Sequence, residues 1–128
     1  MSNKLFIDGY GTVGPSWFRF EVLTDISKER ERQESLKAAG KFPATCADDT
    51  ISETVKCAVL TEENGEVARV LCERACNPES EEASDAKLYE ELVQVAAVAT
   101  AWCEALKVKL ALARQVKLNL CLSHPTNP

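Results

Sequence analysis

The most strongly patterned stretch of the chain runs from Leu88 to Leu110. Leu88, Leu92, Val95, Ala99, Trp102, Leu106 and Leu110 recur at intervals of three and four, and Val93, Ala97 and Val98 widen the apolar surface. That spacing draws one stripe along a helix and predicts a long, central one. Ser84 or Asp85 is placed to cap its start, after the polar loop 77–84. Two weaker helical patterns precede it. Thr24 or Asp25 can cap the first, which runs to about Ala39, with Gly40 as the residue that ends it and Pro43 just beyond. Its apolar stripe, Leu23, Ile26 and Leu36, is narrow and is interrupted by Arg30 and Gln33, so this helix either faces solvent or turns polar side chains toward a ligand. The second opens at the capping box Thr50-Ile51-Ser52-Glu53 and continues to about Cys76. Before all three, residues 4–7 and 17–22 have extended-looking patterns, Phe18, Phe20 and Val22 alternating with Arg19 and Glu21. The expected fold is therefore all-α: an arm or short hairpin over 1–22, a helical bundle over 23–116 and a tail over 117–128.

The second helix breaks the usual rule for a core. Val55, Val59, Glu62, Glu63, Glu66 and Val70 fall within a sector of about 100° when successive residues are placed 100° apart. A carboxylate turned toward the core is costly unless protonated, paired or bound to a cation, and three within five residues point to hard oxygen ligands for Mg²⁺ or Mn²⁺. The competing placement leaves these acids in solvent and turns Leu60, Val67 and Leu71 inward. Arg69 and Lys56 flank the acidic stripe and can reach phosphate oxygens or pair with the acids themselves. Gly65 costs the helix about 1 kcal/mol relative to alanine, which suits a close approach of a ligand or a neighbouring helix.

Composition narrows the classes. A chain of 128 residues forms one domain. No uncharged apolar run approaches the roughly 18 residues that span a bilayer, and residues 1–10 lack a signal-peptide pattern, so a soluble cytoplasmic protein is expected. A net charge of −5, from 20 acidic and 15 basic residues, argues against coating nucleic acid. The six cysteines read as reduced; Cys72 and Cys76, four apart, read as small buried hydrophobes in preference to half of a metal site. Gly9, Gly11 and Gly14 satisfy GxGxxG, but Pro15 follows and no βαβ unit comes after, so turns explain them better. His124 lies in the tail, where an idle surface histidine is the ordinary reading.

Three segments, ISKERERQESLKAAGKFPATCADD at 26–49, KCAVLTEENGEVARVL at 56–71 and LYEELVQVAAVATAWCEAL at 88–106, resemble the MazG-like all-α nucleoside triphosphate pyrophosphohydrolases, in particular the small actinobacterial and phage-type members. The family signature is EExxE followed on the next helix by ExxD. Here the first half is Glu62-Glu63-Asn64-Gly65-Glu66; the second begins at Glu91 after 24 intervening residues, and Gln94 replaces its final aspartate. The resemblance implies hydrolysis of a nucleoside triphosphate between its α and β phosphates, with Mg²⁺ or Mn²⁺ held by Glu63, Glu66, Glu91 and Gln94 and Glu62 acting on the attacking water. Lys56, Arg69, Arg30 and Gln33 become candidates for the substrate, Trp102 for the base, and a homodimer or homotetramer is expected. Gln94 supplies one negative charge fewer than aspartate. That substitution leaves open a catalytically weak or inactive nucleotide-binding or interaction protein of the same fold, and the broad apolar surface of the third helix leaves open a structural oligomer.

Overall fold

The computed structural model describes residues 15–123, which form three helices and no strand: α1 Pro15–Ala38, α2 Glu53–Cys76 and α3 Asp85–Ser123, with a 3₁₀ turn at Glu81–Ala83 before α3. The all-α expectation holds. The segment 4–7, the GxGxxG glycines and His124 lie outside the described residues.

Helix ends follow local chemistry, with corrections. α1 starts at Pro15, so residues 17–22 are helical and not extended. Proline is tolerated in a first helical turn, and the alternating aromatics find no neighbouring strand: Trp17 and Phe20 are 54% and 64% exposed. Thr24 does not cap; its hydroxyl donates back to the Phe20 carbonyl at 2.9 Å. Gly40, with φ +71°, ends α1 as expected. Ser52, not Thr50, caps α2 by accepting the Val55 N–H at 3.3 Å, and Ser84 does the same for α3 by accepting the Lys87 N–H at 3.1 Å. α3 continues to Ser123, through much of the expected tail.

α3 packs against both other helices, while α1 and α2 do not pack against each other. Contacts fix the directions. Arg74, near the end of α2, pairs with Asp85 at the start of α3, and Glu53, at the start of α2, pairs with Lys109, so these two run antiparallel. Asp25 bonds Tyr89 and Arg30 bonds Glu104, so α1 runs parallel to α3. α1 and α2 thus flank α3 without packing on each other.

The buried face of α3 is not the leucine stripe. Ala97, Val98, Ala101 and Ala105 are buried, whereas Leu92 and Leu106 stand 48% and 41% exposed. Small side chains let helix backbones approach closely, so the alanine side wins the interface and the large residues remain beside it. The central cluster is Cys46, Val98 and Ala101, with Ala47, Val59, Leu60 and Trp102 packed around it. Cys72 and Cys76 are exposed free thiols, correcting the expectation of burial. Gly65 is also exposed, with nothing among the described residues within 4 Å of the place a Cβ would take, so no close helix among them requires glycine there. No helix among the described residues is long and apolar enough to cross a membrane.

Candidate functional site

A cleft of about 230 Å³ opens between α1 and α2. α1 contributes Glu29, Arg32 and Gln33, α2 contributes Val59 and Glu63, and Gln94 and Val98 of α3 form its floor; Phe42, Thr45, Cys46 and Ile51 from the 39–52 loop close one side. That loop is pinned from within. Asp48 accepts the Thr45 N–H and pairs with Lys37, and the Thr45 hydroxyl donates to Glu34 at 2.9 Å. Both bonds hold the Asp48 carboxyl below the usual range, the Lys37 contact most.

Glu63 is the electrostatic centre. It is half-buried and forms no hydrogen bond or ion pair among the described residues. Burial pushes its carboxyl above the ordinary glutamate range, and the fields of Glu91, Glu62, Glu29 and Glu66 push it further the same way. Carboxylates from all three helices thus converge on one that forms no ion pair; Arg32, near enough to feel its charge, is bonded to Glu29 instead. This donor set suits a hard divalent ion.

The neighbours are partly engaged elsewhere. Glu91 is buried, pairs with Lys87 at 2.9 Å and accepts from the Gln94 amide at 3.4 Å. Glu66, half-buried, is turned to Arg69 at 2.7 Å, and Glu62 is exposed. Among the described residues no three His, Cys, Asp or Glu side chains stand close enough to hold a metal as they are placed. Glu66 and Glu91 are committed to Arg69 and Lys87 in this arrangement.

The other sequence candidates separate into two groups. Gln33 lines the cleft, accepting from Arg30 at 2.8 Å and donating to Glu29 at 3.4 Å. Arg30 does not line it: buried between α1 and α3, it grips Glu104 at 3.1 and 2.8 Å and Glu34 at 2.7 Å. Arg69 is shared by Glu66 and Glu82, the pairing weighed beside phosphate contact. Trp102 is half-buried against the core cluster, its indole N–H donating to Glu53. Lys56 is fully buried, and its Nζ has no hydrogen-bond acceptor among the described residues. It lies two turns before Glu63 on the same side of α2, and its charge is felt at the Cys46 thiol in the cleft wall.

Sequence reasoning missed Glu29 and Arg32. Arg32 holds Glu29 through two bonds, of 2.7 and 2.8 Å, and both face the cleft. The signal was present in Glu29 and Gln33 standing one turn apart on a helix with too few apolar residues to bury that side. Comparison with family models, with curated proteins and with solved structures finds no match to this chain.

Proposed function

We propose that the chain is a metal-dependent nucleoside triphosphate pyrophosphohydrolase of the MazG-like kind, cleaving a ribo- or deoxyribonucleoside triphosphate to the monophosphate and pyrophosphate. The observation that carries this reading is the Glu63 carboxyl, without an ion pair among the described residues and surrounded by Glu91, Glu62, Glu29 and Glu66 beside a cleft. The order of these acids along α2 and α3 supports it, as does the intact EExxE run.

In this reading Glu63, Glu66, Glu91 and Gln94 hold Mg²⁺ or Mn²⁺, which would supply charge neutralisation on the phosphates and acidify a water. Glu62, exposed one residue from Glu63, orients that water and accepts its proton. Water adds to the α phosphorus as the bond to the bridging oxygen breaks and pyrophosphate leaves. The cleft between α1 and α2 takes the nucleoside, with Gln33 and Arg32 offering polar contacts and Phe42 an aromatic face. Arg69 becomes available to phosphate once Glu66 turns to the cation, and Lys56 supplies positive charge beneath the site.

Gln94 favours a second reading, a helical nucleotide-binding protein without turnover, because its neutral amide donates to Glu91 where the signature has another carboxylate. The two separate in one experiment. Incubation with a panel of NTPs and dNTPs and Mg²⁺ or Mn²⁺, following pyrophosphate release, should give turnover that Glu63→Gln abolishes. Nucleotide binding without release for any substrate would replace the enzyme with the binding protein.

A further inference from the structure

The end of α2 carries two thiols. Cys72 and Cys76 are both exposed and free, and stand about one helical turn apart. Their Cβ atoms are neighbours, about 5–6 Å from one another as for any pair four apart on a helix. They face away from the cleft: counting 100° per residue, Cys72 lies about 180° and Cys76 about 140° around α2 from Glu63, and both lie about 13 Å or more along its axis. The hard-oxygen cluster and the dithiol therefore share no donor.

The turn is fixed from its other sides. Between the two cysteines, Arg74 donates to the Ala83 carbonyl at 2.6 Å and pairs with Asp85 at 2.7 Å, which ties the turn to the start of α3. The Asn77 N–H closes it on the Glu73 carbonyl at 2.7 Å. That anchoring decides what the thiols can do. A disulfide needs Cβ atoms about 3.5–4.5 Å apart, so direct oxidation would distort the turn and cost it those contacts. A bridging atom with bonds to sulfur of about 2.3 Å, the length found for zinc, spans the wider gap. Its identity follows from the donor count. Thiolate sulfur selects soft centres over Mg²⁺ or Mn²⁺, a structural zinc takes four ligands, and no third His, Cys, Asp or Glu joins the pair to hold a metal among the described residues. A thiophilic centre with two exchangeable positions fits.

We propose that Cys72 and Cys76 form a two-thiol site for a trivalent arsenical bearing one organic group, R–As(OH)₂. Two As–O bonds break and two As–S bonds form; each thiol proton leaves with a hydroxide as water, and arsenic stays trivalent. Once the first bond has formed, the second thiol waits one turn away, so the second closure is intramolecular. This inference stands apart from the proposed activity.

Hydrated phenylarsine oxide, added to the reduced full chain, is the probe. One equivalent should remove two thiols from the number that a chromogenic disulfide reagent titrates, and the adduct should survive millimolar glutathione but yield to 2,3-dimercaptopropanol. Cys72→Ser and Cys76→Ser should each weaken retention in glutathione by at least about 100-fold, the low end of the gain from a second linked contact, whereas Cys57→Ser should leave it unchanged. Trypsin cleaves after Arg69, Arg74 and Lys87, so the arsenical should hold residues 70–74 and 75–87 of the wild type together. Equal retention in either serine variant overturns the proposal, as do tryptic peptides that separate with the arsenical still bound, or ready formation of a Cys72–Cys76 disulfide with oxidised glutathione. The peptide link is read on the wild type, so it decides the matter even where a serine variant fails to fold.

Discussion

Arg30 is the clearest case in which the structure assigns a role that the sequence left open. Its guanidinium is buried at the contact of α1 and α3, where it makes two bonds to Glu104 across the helices and one each to Glu34 and Gln33 within α1. Arg30→Ala removes the inter-helix fork, worth about 1.5–3 kcal/mol for hydrogen bonds to a charged group. It also removes two buried methylenes of the aliphatic stem, worth roughly 0.8 kcal/mol each. The two acids left behind are about half exposed and regain water, which returns part of the first contribution. The balance is a loss of about 3 kcal/mol, or a melting temperature lower by roughly 10 °C for a domain of this size. Arg30→Lys keeps the charge but not the fork and should lose about half as much. Urea and thermal unfolding followed by circular dichroism measure both. Unfolding free energies within 1 kcal/mol of the wild type, together with weakened nucleotide binding, would refute this reading and return Arg30 to the ligand site.

Two further outcomes follow from ionisable groups that the described residues leave without an ion pair. Lys56→Met should raise stability by about 1–3 kcal/mol, because the buried Nζ without an acceptor carries a desolvation penalty that methionine lacks at similar volume; an unchanged or lower urea midpoint would mean the ammonium is satisfied in solution. Glu63 has a folded pKa raised above its unfolded one, so its contribution is fully present below the unfolded value and is lost as pH rises through the folded one. Glu34 and Asp48 are held low and act in the opposite sense, gaining stability above their unfolded values. The Glu63 effect is therefore read as a difference: without metal, Glu63→Gln should match the wild type near pH 4 and exceed it increasingly toward pH 8, and added Mn²⁺ should close the gap. Parallel curves would show that Glu63 is not strained.

The helical plan was legible because its signals are local. Gly40 and Ser84 act where turn and cap chemistry places them, and the apolar periodicity of α3 marks the longest element. What periodicity does not encode is which of two adjacent apolar sides finds a neighbour. The leucines outweigh the alanines in hydrophobicity, yet Ala97, Ala101 and Ala105 permit the closer approach and take the interface. The acids of α2 show the same limit. They share a sector on a helical wheel, but contact with α3 rotates Glu63 inward and leaves Glu62 in water, an outcome between the two placements the sequence allowed. Glu29 escaped notice because a charged run on a helix most often faces solvent, and only the position of α1 beside the cleft gives this one another meaning.

The alanine seam also acts as a ruler. α2 and α3 carry the opposing halves of the acidic cluster, Glu63 on one and Glu91 on the other, and residues such as Ala101, fully buried, set how near those helices come. Small side chains at a helix contact go with separations toward the short end of the roughly 8–10 Å range for packed helices. Bulkier residues would add apolar contact and carry the carboxylates apart. The smallness of these side chains thus sets the reach across the charged cleft, and the leucines consigned to the outside of α3 are the counterpart of that choice.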